Sequence, residues 1–531
     1  MNSDVLSTGS TYDLQDNTLT FQASFPYIRE DTTGTRFYDN ITFYTTVVNE
    51  TKFGKVVVNG TDGYVTFEDM NHMDLKLRGN TTTLPPASGR DYVVFGTVTN
   101  GGILTIPTDD QVTLVKLPGG NLFVNWSYSN GVIHEVAKPQ SEINQILTDL
   151  INEAGGRPTT VVNVINIVNP NNTGQAAALG SAVIQAANTG NLVEAVNRLE
   201  PVVVEATQAS YLAAAEATKT VSDRASSVSA PARFNMAMQE SEGVSAGIKD
   251  DELKYGAWGS TYYSTALQRG DYQGPGYKTT TFGGAIGADT LVNDTTMVGV
   301  AFSVMKLKIN HRDSNSGDKT TANGYLFSVY GLKELTEKWF VQAVLSVGTN
   351  KIDNRERRLQ GSIYEIARGS YTASNYGMEV LAGYDRALGD YMMLTPIVGF
   401  AYNWLADSWY QERGTTSQNF LITRKADKKF EAIGGARLSF AREWKDMTIT
   451  PEVHGLLRYA VVNLSPAIDV RIQGLTDPYI PRTVEPRRFF TNLGFGVSIA
   501  KGRMNYGLSY DSYLGKKYVG HQGTLKMRLN F

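Results

Sequence analysis

The end of the chain constrains its fold most. From Gly523 to Phe531, Leu525, Met527, Leu529 and Phe531 alternate with Thr524, Lys526, Arg528 and Asn530, the two-residue period of a strand with one apolar face. The same period runs through Leu394, Pro396, Val398, Phe400, Tyr402 and Trp404. It recurs in Ile449, Pro451, Val453, Leu457, Tyr459 and Val461, set against Thr450, Glu452, His454 and Arg458, and again in Leu493, Phe495, Val497 and Ile499.

Twelve such segments centre near residues 260, 284, 303, 328, 345, 379, 399, 435, 455, 494, 507 and 526. Tight turns at Val292-Asn293-Asp294, Leu335-Thr336-Glu337, Leu388-Gly389-Asp390, Lys445-Asp446 and Lys501-Gly502 alternate with longer polar loops over 267–277, 310–321, 353–370, 410–426, 463–487 and 513–519. An even number of strands, with short turns at one end and long loops at the other, is what an outer-membrane barrel requires. Lipid offers no hydrogen bonds, so a sheet crosses it only if it closes and leaves no free edge. A soluble β-sandwich accounts for any one of these strands but gives no cause for the alternating loop lengths.

The apolar faces then meet outer-membrane lipid, and Gly283, Gly287, Asn375, Gly377, Glu379, Arg437, Glu452, His454 and Arg528 line the interior. Trp258, Tyr262, Trp339, Tyr391, Trp404, Trp409, Trp444 and Tyr510 are expected to form aromatic girdles at the two interfaces. Charged residues make up 19% of the chain, below the roughly 25% of soluble domains. No stretch approaches the ~20 apolar residues of a spanning helix. Met1-Asn2-Ser3-Asp4 is not a basic segment leading into an apolar run, so an exported precursor would already have lost its signal.

Residues 1–170 are rich in Thr, Asn, Gly and β-branched side chains, with short alternating runs such as Tyr64-Val65-Thr66-Phe67 and turn signals at Asn59-Gly60, Pro118-Gly119-Gly120 and Asn130-Gly131. They form a β-rich unit, either a short β-solenoid or a sandwich, with no clean repeat to separate the two. Residues 171–250 turn Ala-rich and read as a helical linker split by Pro201 and Pro231, with Asn171-Asn172-Thr173 supplying capping chemistry. Residues 251–531 are the barrel.

Little chemistry is offered. The chain has no Cys, which removes disulfides, thiolate metal sites and Cys nucleophiles together. Residues 1–170 hold only His72 and His134, with no G-x-S-x-G or H-E-x-x-H motif, and Asp109-Asp110 follows Pro107 as an exposed turn. No catalytic, cofactor or metal site is expected, and His454 reads as a satisfied lumenal histidine. Residues 1–150 carry 17 Asp or Glu against 9 Lys or Arg, which would repel phosphate and excludes nucleic acid as a partner. Tyr92, Phe95, Phe123, Trp126 and Tyr128 are candidate contact residues, although alternation makes each more often core.

The final strand resembles the C-terminal assembly signal of Gram-negative outer-membrane proteins, with Leu525, Met527, Leu529 and Phe531 as the residues read by the barrel-assembly machinery. The zone around it resembles a type V secretion autotransporter β-domain. Pro466 to Leu475, Asn505 to Asp511, Gly317-Asp318-Lys319 and Tyr330-Gly331-Leu332 are similar to the surface cell antigen autotransporters of Rickettsia and Orientia, the short length suggesting the surface cell antigen C type. The resemblance implies a barrel in the outer membrane and a passenger displayed outside it, attaching to a host-cell receptor or a matrix protein such as fibronectin. It also implies a helix threading the pore, which is expected between Pro231 and Gly247, with Glu240 and Glu242 pairing with Arg437, Arg458 or Arg528. A surface hydrolase and an open channel are the alternatives.

Overall fold

The computed structural model describes residues 11–223 and 255–531, apart from residues 16, 23–33, 37–40, 60–63, 67–71, 80–82, 100–102, 204–205, 207–208, 211–212, 271–273, 361–362, 390, 465–466 and 482–487. It divides into two compact units, the first built on Met1–Val196 and the second on Asn197–Phe531, with the short segments Gln360–Ile363 and Gln473–Asp477 grouped with the first.

The first unit is a solenoid. Ile41–Asn49 pairs in parallel with Thr11–Gln15 and with Met73–Gly79, which pairs in turn with Val112–Lys116. Parallel ladders also join Thr18–Gln22, Lys55–Asn59 and Thr97–Thr99, and Gly34–Arg36, Tyr64–Thr66 and Ile103–Leu104. Three parallel stacks wound by one chain are a β-helix, which settles the choice left open between solenoid and sandwich. Its interior holds Phe43, Val47, Val56, Met73, Leu75 and Leu77, all fully buried.

An antiparallel sheet of Arg90–Val93, Val132–Ala137 and Val124–Ser129 follows, its Tyr92 and Ile133 joining the same core. Tyr92, Phe95 and Phe123 are buried, and Trp126 and Tyr128 pack against that core, so the aromatics considered as contact residues serve packing instead. Helices begin earlier than the expected residue 171, at Gln140–Glu153 and Pro158–Ile167, and continue through Gly174–Asn188 and Leu192–Asn197. Thr173 is the cap position of Gly174–Asn188 but makes no side-chain cap bond. Asn172 is buried instead, donating to the Asn166 and Ile167 carbonyls and accepting from the Thr476 amide.

The second unit contains twelve long antiparallel strands: Tyr255–Gln268, Tyr277–Asn293, Thr296–His311, Lys319–Glu334, Trp339–Gln360, Ile363–Tyr384, Met392–Leu405, Asp427–Phe440, Met447–Leu464, Phe489–Lys501, Met504–Gly515 and Tyr518–Asn530. Each pairs with its sequence neighbours, and the first pairs with the last from Gly256 with Asn530 to Gln268 with Tyr518, closing the sheet. All twelve coincide with the alternating segments.

Two loops are shorter than expected. The fifth and sixth strands run to Gln360 and from Ile363, so most of 353–370 is strand, and Lys516 and Lys517 form a tight turn where 513–519 reads as a loop. Two of the expected girdle aromatics point inward. Trp258 and Tyr262 are buried, their rings lying against Gly287 and Gly283, where a Cβ would clash. Trp339, Tyr391, Trp404, Trp409, Trp444 and Tyr510 do face outward, as do Leu525, Met527, Leu529 and Phe531.

Candidate functional site

Residues 213–223 are helical and lie among the inward-facing side chains of the strands. A run of Ala213, Ala214 and Ala217 keeps the helix slim, and its polar side chains meet the wall in sequence order. Glu216 accepts from Ser264 Oγ at 2.8 Å. Lys219 stands 2.6 Å from Asp223 and 3.4 Å from Asp511, which also receives His454 at 2.9 Å and Asn492 at 3.1 Å. Ser222 donates to Glu379 at 2.6 Å and accepts from Gln342 at 2.8 Å, and Lys526 approaches Asp223 at 3.5 Å. On the apolar side, Val221 joins Trp258, Tyr330, Phe340 and Val344. A small cavity of about 100 Å³ persists beside Thr220, bordered by Glu452, Ser498, Ser509, Lys526 and Arg528.

The wall arginines are already engaged by the wall. Arg458 bonds Glu379 at 2.7 Å and approaches Glu431 at 3.6 Å, Arg528 bonds Asp289 at 2.7 Å, and Arg437 lies 3.8 Å from Glu452. Glu240 and Glu242, expected as their partners, lie outside the described residues. The helix charges found in the lumen are Glu216, Lys219 and Asp223. Their spacing of three and then four residues amid small side chains marks one helix face, a signal present in the sequence.

A second constellation gathers where the chain enters this unit. Arg358 is fully buried and bonds Glu356 at 2.8 Å, Glu412 at 3.0 Å and the Arg198 carbonyl at 2.9 Å. Arg198 lies 3.4 Å from Asp318, and the Val202 amide donates to Glu356 at 3.3 Å. Three carboxylates thus share two guanidiniums in a dry setting. Burial, reinforced by Glu356, pushes Asp318 up to about 7. Burial also pushes Glu412 up to about 7, with Glu356 adding to it and Arg358 opposing it. Among the described residues no cluster of His, Asp or Glu is suited to a metal ion.

A closed twelve-stranded barrel with an N-terminal strand led in by a lumenal helix defines an outer-membrane translocator. Residues 257–511 match the family described as the autotransporter beta-domain. Outer membrane protein A of Rickettsia conorii is 29% identical over the whole of this chain, which covers 26% of that protein. Outer membrane protein B of Rickettsia rickettsii is 28% identical over the whole chain, covering 32% of that protein. The chain therefore spans about a quarter to a third of these relatives. The translocator domain of the autotransporter NalP from Neisseria meningitidis aligns with 62% of this chain and 99% of its own, at 14% identity and a TM-score of 0.44. Residues 257–511 thus carry an autotransporter beta-domain whose barrel belongs in the outer membrane, and the chain as a whole is similar to rickettsial surface antigens.

Proposed function

We propose that the barrel is an anchor and that the solenoid it displays attaches the bacterium to a host-cell receptor or a matrix protein such as fibronectin. The observation that carries this reading is the lumenal helix. A helix about 10 to 12 Å across with its side chains occupies the lumen and is fixed by Ser264, Asp511, Glu379 and Gln342. That arrangement suits a plugged anchor better than an open channel. Attachment calls for a stable display surface and no catalytic machinery, and a β-helix is such a surface, each turn supported by its neighbours. On this reading the barrel-assembly machinery recognises Leu525, Met527, Leu529 and Phe531 on the final strand, where all four are exposed.

The test is expression of the whole chain in a non-adherent Gram-negative host. Saturable binding of these cells to host-cell monolayers or immobilised fibronectin, lost when residues 1–170 are deleted while the barrel still assembles, supports the reading. Binding no greater than that of the barrel alone, with the passenger protease-resistant at the surface, overturns it.

A further inference from the structure

The antiparallel sheet of the passenger holds a side-chain array that attachment leaves without a role. Ser129 Oγ lies 2.8 Å from His134 Nε2, and His134 Nδ1 lies 2.7 Å from Asp91 Oδ1. The register produces this arrangement. His134 sits directly opposite Asp91 on one side and Ser127 on the other, and Ser129 is two residues beyond Ser127 on the same face.

The support beneath is firm. Residues adjacent to the array point the other way, where fully buried Glu135 accepts from the Tyr92 hydroxyl at 2.8 Å and from Arg90 at 3.3 Å. Ser129 ends its strand at the Asn130-Gly131 turn, whose residues both have positive φ, and the Asn130 amide donates to Asp109 at 2.8 Å. A two-residue turn of this kind matches the strand twist and fixes the hairpin register.

The hydrogen bonds also assign the imidazole. An ionised carboxylate only accepts, so Nδ1 carries the proton toward Asp91, and in the neutral ring Nε2 is then the acceptor for the Ser129 hydroxyl. This is the order of groups that activates a serine.

We propose that Ser129 is a nucleophile with His134 as its base and Asp91 as the residue that positions the ring, forming an acyl-transfer site for carboxylic esters with an apolar acyl group. Val132 and Val93, in the same cross-strand row as Ser129 and on its face, with Val93 40% exposed, give such a group its seat. Ser129 Oγ bonds to the carbonyl carbon as its proton passes to His134 Nε2. The adduct collapses, the bond to the leaving oxygen breaks, and His134 returns the proton to that oxygen. Water then repeats the sequence through His134, releasing the acid and restoring the serine. Asp91 is exposed and His134 is 30% exposed, so water reaches the oxyanion and the site favours esters with good leaving groups.

The test uses the full chain in outer-membrane vesicles with a fluorescent alkyl fluorophosphonate and p-nitrophenyl butyrate. The proposal expects covalent labelling mapped to Ser129 and ester hydrolysis, both absent in Ser129→Ala. His134→Gln should slow both by about 100-fold or more, the general-base contribution. Asp91→Asn should slow them too, and Asp91→Glu should recover part of the rate, which a purely structural role would not predict. Protease resistance of the passenger reports folding of each variant. A wild-type rate equal to that of Ser129→Ala, labelling at another serine, or full reactivity in a folded His134→Gln overturns the proposal.

Discussion

Lys219 of the lumenal helix and Asp511 of the eleventh strand face each other at 3.4 Å, both nearly excluded from solvent. Replacing Lys219 by Met keeps the bulk but removes the cation, leaving Asp511 with only His454 and Asn492. Uncompensated buried charges cost about 3 to 5 kcal/mol. Lys219→Met is expected to lower the temperature at which the folded barrel loses its fast-migrating band in gel electrophoresis, and Asp511→Asn in the same chain should recover part of that loss.

The entrance constellation responds to acid in a stated direction. Asp318 and Glu412 hold protons up to about 7 in the folded chain, whereas free carboxylates release theirs near 4. The folded state binds more protons between these values, so its stability is greatest at the acid end of that window and falls as pH rises through 7. The guanidiniums facing these acids are Arg198 at Asp318 and Arg358 at Glu412. The urea midpoint of the barrel should therefore be higher at pH 5.5 than at pH 8. Asp318→Asn should flatten the difference.

Arg358 is the cation on which Glu356 and Glu412 both depend. Arg358→Met strands two buried carboxylates and is expected to cost about 3 to 5 kcal/mol at neutral pH. Denaturation followed by tryptophan fluorescence would measure it, with a smaller loss expected at pH 5.5, where Glu412 takes up a proton.

Gly283 is opposite Tyr262 in the register, and the Tyr262 ring occupies the space where its Cβ would stand. Gly283→Val should force that ring aside and cost about 1 to 3 kcal/mol, the usual penalty of overpacking. The same substitution at Gly523, where a Cβ meets nothing within 4 Å, should cost much less.

Phe531 closes the barrel seam with Tyr255: their amides and carbonyls exchange bonds at 2.9 and 3.0 Å, and their rings stack 6.2 Å apart. Phe531→Ala keeps the backbone pair and removes the ring. A reduced fraction of assembled barrel at equal expression is expected, read from heat-modifiable mobility.

The barrel was legible because period two is enforced at every strand by lipid outside and polar groups inside. Trp258 and Tyr262 stand in the inward phase of that same period. Exposed Tyr255 and Tyr263 fall in the opposite phase, and glycines on the neighbouring strand make room for large rings within. The pore helix expected between Pro231 and Gly247 lies outside the described residues, and the described helix at 213–223 is hard to read in the sequence because its charged residues are few and lie among alanines. The solenoid escaped as a repeat because its turns differ in length: Thr42 pairs with Thr11 and Asp74, but Asp74 pairs with Thr113 across a longer excursion. Ser129, His134 and Asp91 come from three strands, and only the folded register places them side by side.

The parallel ladder of the passenger has a further effect on how such a molecule can change. Every rung leans only on the one before and the one after, so coils can be inserted or removed without reshaping the cylinder in the membrane. The length of the solenoid can thus change independently of the barrel, one winding at a time.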